Sequence, residues 1–138
     1  MNTQPNPQGP PCPDLTPPLL AQARQQFEQA LTFCLNSQCS FKGVENHLFT
    51  LLAALGCLLL RLFLTARHQR LDLDDHLQDG QYRRGEPYAE RTLQTAHGPV
   101  RYGRAQLIRR KGGSGFYPLD AVLGLTRDRF HPGGRART

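Results

Sequence analysis

The sequence predicts an α+β fold: an N-terminal helical hairpin with a long leucine-rich helix, then a small basic β-hairpin and a short C-terminal helix, with disordered tails. Three observations carry this expectation. Apolar residues recur at spacings of three and four from Leu20 to Leu62. Two short alternating runs flank Gly98-Pro99. Charge divides along the chain, with five Lys/Arg against seven Asp/Glu in residues 1–82 and twelve against four in residues 83–138.

Residues 1–16 read as a proline-rich tail, since seven prolines fall within the first eighteen residues and no basic cluster or apolar core marks a secretory signal. The helical region spans 17–79. Thr16 or Asp14 is placed to cap its first helix, with Pro17 and Pro18 tolerated in the opening turn. Leu20, Ala23, Phe27, Leu31 and Cys34 then make an amphipathic stripe that ends near Asn36-Ser37. Ser40 is the N-cap candidate of the second helix. That helix carries a seam of Phe41, Val44, Leu48, Leu51, Leu55, Leu58 and Leu62, held for about three heptads. Phe49, Leu52, Leu59, Leu60, Phe63 and Leu64 widen the apolar surface beyond one partner helix, which implies a buried core helix, self-association or a further domain.

A transmembrane reading of the same helix is disfavoured. The uncharged run Leu48–Leu60 is closed by Arg61 and falls short of the ~20 residues a bilayer requires. Asp72, Asp74, Asp75 and Asp79 read as a solvated linker, because their spacing fits no calcium loop and one local run cannot converge on two metals.

The region 80–126 is expected to hold the basic β-hairpin and short helix. Residues 80–90 read as a flexible connector into it, and Gly98-Pro99 as its turn. Val100 and Tyr102 share one face of the second strand and Arg101 the other. Gly112-Gly113-Ser114-Gly115 gives backbone freedom beside Arg109-Arg110-Lys111, so amides there can approach phosphates. Pro118-Leu119-Asp120 starts a short helix whose apolar face is Leu119, Val122, Leu123 and Leu125. Residues 127–138 read as a disordered basic tail. This layout suits a polyanion better than a small substrate. The plainer reading of the basic half is a solvated charged face.

Cys12, Cys34, Cys39 and Cys57 include no CxxC pair, so they predict reduced thiols and no metal site, with Cys34 and Cys57 on apolar helix faces. The five histidines match no HExxH spacing, no G-x-S-x-G elbow is present, and the glycine turn lacks the Lys-Ser/Thr of a phosphate-binding P-loop. No catalytic residue, cofactor or metal is nominated.

One ordered set of motifs remains. Arg91, Leu93, Thr95, Gly98, Val100 and Arg104, followed by Pro118, Leu119, Asp120, Leu123, Gly124 and Leu125, resemble the N-terminal region of bacterial insertion-sequence transposases of the Kra-type and Lre-type group. Phe41, Val44, Glu45 and Leu48 are similar to the helix that precedes this motif in the family. The resemblance covers roughly residues 25 to 125, and its specificity lies in the order of motifs that are each degenerate alone. It implies DNA as partner and a cytoplasmic location. It also implies that the three catalytic carboxylates belong to a later RNase H-like domain, so this chain alone is expected to bind without cutting. The DNA-contacting residues expected are Arg101, Arg104, Arg109, Arg110 and Lys111. A homodimer or a further transposase domain is expected to pack through Leu48, Leu51, Leu55, Leu58 and Leu62, with no membrane. The alternative is a helical protein-interaction module with a solvated basic face, with a membrane-associated helix as its outlying form.

Overall fold

A computed structural model describes residues 12–125. Two antiparallel helices, α1 (Thr16–Asn36) and α2 (Phe41–Gln69), are followed by the short α3 (Asp74–Leu77). Five strands follow: β1 (Tyr82–Arg84), β2 (Ala89–Thr95), β3 (Gly98–Arg104), β4 (Leu107–Arg109) and β5 (Gly115–Phe116). The helix α4 (Pro118–Leu123) closes the domain. The α+β class is therefore as the sequence indicates, and the two terminal tails lie outside the described residues except for the segment from Cys12.

Local chemistry starts α1, α2 and α4 close to where the sequence places them, although the N-cap of α1 is Leu15, with no side-chain cap bond, and neither Thr16 nor Asp14. The Thr16 amide donates to Asp14 Oδ1 at 2.9 Å, and Pro17 and Pro18 occupy the first turn, where a missing N–H costs nothing. Ser40 caps α2 by accepting from the Gly43 amide at 3.1 Å. α4 starts on Pro118 and stops at Gly124, whose φ of 71° is the left-handed conformation that ends a helix without a Cβ clash.

α2 serves two neighbours with two faces. One face packs Leu55, Leu58 and Leu62 against Leu15, Leu19 and Ala23 at α1. The opposite face sets Cys57, Leu60 and Leu64 against Leu93, Val100, Tyr102 and Leu119 of the β-module. The tip of the β2–β3 hairpin rests where α2 is thinnest. A Cβ on Gly56 would lie 2.7 Å from the His97 ring, and the Cys57 thiol donates to the His97 carbonyl at 3.2 Å.

Three sequence expectations change in the strand region. The hairpin turn is Ala96-His97, not Gly98-Pro99, and Thr95 pairs with Gly98. Thr95 makes the earlier turn possible: its hydroxyl donates to the Gly98 carbonyl at 2.7 Å and accepts from the His97 amide at 3.1 Å. Residues 80–90 are not simply a connector, because β1 pairs antiparallel with β4 in the register Tyr82↔Arg109, Arg83↔Ile108, Arg84↔Leu107. β4 pairs in turn with β5, which makes a three-stranded sheet beside the two-stranded hairpin. The acidic linker contains one helical turn. Asp72 and Asp79 cap local backbone by accepting from the Asp74 and Gln81 amides, each at 3.1 Å.

His68 joins the helical and strand halves. It is buried near the end of α2, and its Nε2 accepts the Ala105 amide at 2.9 Å, so the ring is neutral in the native state. Burial lowers its pKa below the ordinary 6.5. A base with a depressed native pKa stabilises the fold above its unfolded pKa and loses that contribution as pH falls, since the unfolded chain then binds the proton more readily. Thermal melts should therefore shift down between about pH 7 and about pH 5. His68→Gln retains an acceptor without the titration and should show a shallower shift. Equal pH dependence in the two proteins would remove His68 from this role.

Candidate nucleic-acid interface

The exposed cations of the strand module concentrate at the β4–β5 turn. Arg109 ends β4, and Arg110, Lys111, Gly112, Gly113 and Ser114 carry the chain round to β5. The turn closes through the Arg109 amide to the Ser114 carbonyl at 2.9 Å and the Gly113 amide to the Arg109 carbonyl at 3.0 Å. A third bond, from the Arg110 amide to the Gln81 carbonyl at 2.8 Å, ties it to the chain entering β1. Gly112 and Gly113 have φ of 94° and 71°, which L-residues rarely adopt, and a Cβ on either would meet only open space. The Lys111 and Gly112 amides donate to no acceptor among the described residues. Two open N–H groups beside two exposed cationic side chains form an anion-attracting concavity. Gly80, Gln81, Arg109, Arg110 and Lys111 line a surface hollow of about 360 Å³ at this place.

An aromatic pedestal supports the turn. The Arg109 guanidinium lies 5.6 Å from the Tyr82 ring centroid, and its Nη2 donates to the Tyr82 hydroxyl at 3.3 Å. Tyr82 packs against Phe116 at 5.4 Å between centroids, with the His76 ring edge-on to both. Arg109 is thus partly committed to the protein, while Arg110 and Lys111 face solvent.

The other two nominated residues behave differently. Arg101 sits on the outer face of β3, and its Nη2 is paired with Glu90 Oε1 at 2.7 Å. It is 68% exposed, so this is a surface pair that costs little to exchange for another anion. Arg104 is not a surface residue. It is 5% exposed, and its Nε and Nη2 donate to Asp120 Oδ2 at 3.2 and 3.1 Å. Its Nη1 donates to the Ala89 carbonyl at 2.7 Å, and its guanidinium stacks 3.9 Å from the Tyr117 ring centroid. Period-two alternation explains the burial, because Arg104 shares the inward face with Val100 and Tyr102. Arg104 is corrected from DNA contact to core residue.

Asp120 is the centre that sequence reasoning missed. Arg91 Nη1 donates to Asp120 Oδ2 at 2.7 Å, and the buried Tyr102 hydroxyl donates to Oδ1 at 2.7 Å. Burial first, and the bond to Asp120 next, push the Tyr102 hydroxyl up to about 12, so it remains a donor across the neutral range. One carboxylate therefore ties β2, β3 and α4 together. The signal available in the sequence was the placement of Asp120 in the first turn of a helix, with arginines at both Arg91 and Arg104 on paired strands.

The chain matches no protein-family model, no curated protein and no solved structure.

Proposed function

We propose that this chain is the DNA-binding N-terminal part of an insertion-sequence transposase of the Kra-type or Lre-type group, holding element-end duplex while strand cleavage is performed elsewhere. The β4–β5 turn is the observation that carries the DNA-binding half of this reading: adjacent exposed cations and two open amides are held on a braced turn. Such a site meets phosphate oxygens, which carry no sequence information directly. Arg101 on the outer strand face adds a further exposed cation. The location that follows for a bacterial protein acting on its chromosome is the cytoplasm.

The family half of the reading rests on the ordered motif, and the fold supplies a physical reason for its two stretches to occur together. Leu93, Val100, Leu119, Leu123 and Leu125 meet in one core, and Arg91, Arg104 and Asp120 in one network. Two separated stretches of sequence must then appear together for either to be useful.

The test is a fluorescence-anisotropy titration of the full chain with duplex DNA at several salt concentrations. Affinity should fall linearly in log salt, with a slope near −0.9 per phosphate contact and little difference between duplex sequences. Absence of binding at low salt would overturn the reading in favour of a helical interaction module. Metal-dependent nicking of the duplex by the purified chain would overturn its non-catalytic part.

A further inference from the structure

α1 and α2 leave one side of their hairpin uncovered. On α1 the residues are Leu20, Phe27 and Leu31, and on α2 they are Leu52, Leu59 and Phe63. The two sets have the same spacing, seven then four, which holds each to a single helical stripe. All six are between 37% and 54% exposed. Leu20, Phe27 and Leu59 line a groove of about 510 Å³ between the helices, floored by Ala23, Leu55 and Leu62. Arg24 and Glu28 stand at its rim, one turn apart on α1, and neither has an ion-pair partner among the described residues.

We propose that a second copy of this chain occupies the groove, so that two hairpins form a two-fold four-helix bundle. Three features select this occupant. The first is area. Those six side chains leave roughly 500 Å² of apolar surface in water, at the upper end of what a monomer exposes. Adding Phe49, which is 78% exposed, and the polar rim brings the face toward the ~800 Å² per partner of a specific interface.

The second feature is charge. A two-fold axis is isologous, so any rim residue meets its complement only if the same surface carries both signs. Arg24 and Glu28 meet that condition: with antiparallel α1 helices, Arg24 of each copy faces Glu28 of the other.

The third feature is what surrounds α2. By length and composition this helix could cross a membrane. Yet α1 lies along one face with Arg24, Glu28 and the glutamines at 22, 25, 26 and 29, and β3 packs on the opposite face. To cross a bilayer, α2 would have to shed both packings.

The interface differs from the leucine seam expected from sequence. Leu55, Leu58 and Leu62 pack against α1 within the chain, and only Leu55 and Leu62 also reach the groove floor. The proposal is independent of DNA binding, and its readout is mass.

The test is sedimentation equilibrium on the full chain and on charge variants. The wild type should have twice the 15.5 kDa of one chain. Arg24→Glu should weaken self-association about tenfold, since it replaces two attractive rim pairs by two repulsive ones. The swap Arg24→Glu with Glu28→Arg should return it to near the wild-type value. Phe27→Glu with Leu59→Glu should give a monomer whose far-ultraviolet circular dichroism is unchanged, because both positions are half-exposed in one copy. A monomeric wild type overturns the proposal, as does a swap that fails to restore the dimer while the protein remains folded. Flotation of the wild type with neutral phosphatidylcholine vesicles would overturn it in favour of lipid.

Discussion

Asp120→Asn is expected to destabilise the chain by about 3–5 kcal/mol, the cost of leaving a buried charge without its partner. The side chains of Arg104 and Arg91 are 7% and 16% exposed, and both donate to the same Asp120 oxygen. Asparagine fits the space and retains one acceptor, yet the buried Arg104 guanidinium then loses the one carboxylate it meets among the described residues. Against a total stability of roughly 5–15 kcal/mol, that loss unfolds a marginal domain. Arg104→Met should cost less, because Asp120 retains Arg91 and Tyr102 while the methionine fills the slot over Tyr117. The ordering is the diagnostic, and urea denaturation of the two variants beside wild type measures it. Equal losses, or an Asp120→Asn loss under about 1 kcal/mol, would mean that solvent already screens the network.

The hairpin of long helices was legible because helical period and caps are local. The Ser40 cap and the Pro17-Pro18 start are contained within a few residues of where they act, whereas the expected α1 stripe is exposed at Leu20, Phe27, Leu31 and Cys34, and α1 buries Leu19 and Ala23. β1 escaped because a strand of three residues, two of them arginine, has no period to detect, and only its pairing with β4 defines it. The turn at Ala96-His97 escaped for a related reason. Glycine and proline outweigh a threonine as punctuation, but the Thr95 side chain organises this turn. Arg104 escaped because charge was read as exposure, although alternation along β3 had already placed its face inward. The β4–β5 turn was legible in composition, whereas its pedestal of Tyr82, Phe116 and His76 comes from three separated segments.

Replacing Arg109, Arg110 and Lys111 together by alanine should flatten the log–log salt dependence of duplex binding by roughly two to three units. The range follows from the geometry. Arg110 and Lys111 are exposed and carry a full contact each, while Arg109 is partly held by the Tyr82 ring and hydroxyl. At about 0.1 M salt, two to three lost contacts correspond to a fall in affinity on the order of a hundredfold. The fall should be nearly the same for every duplex, because phosphate contacts do not read base edges. Folding should survive, since Gly112 and Gly113 retain the turn and the closing bonds use only backbone groups. Arg104→Met supplies the opposite pattern in the same titration: lower stability with an unchanged slope, because its guanidinium never leaves Asp120 for DNA. If the triple variant keeps the wild-type slope while Arg104→Met alters it, the binding surface lies on the inner side of the β-module and not at this turn.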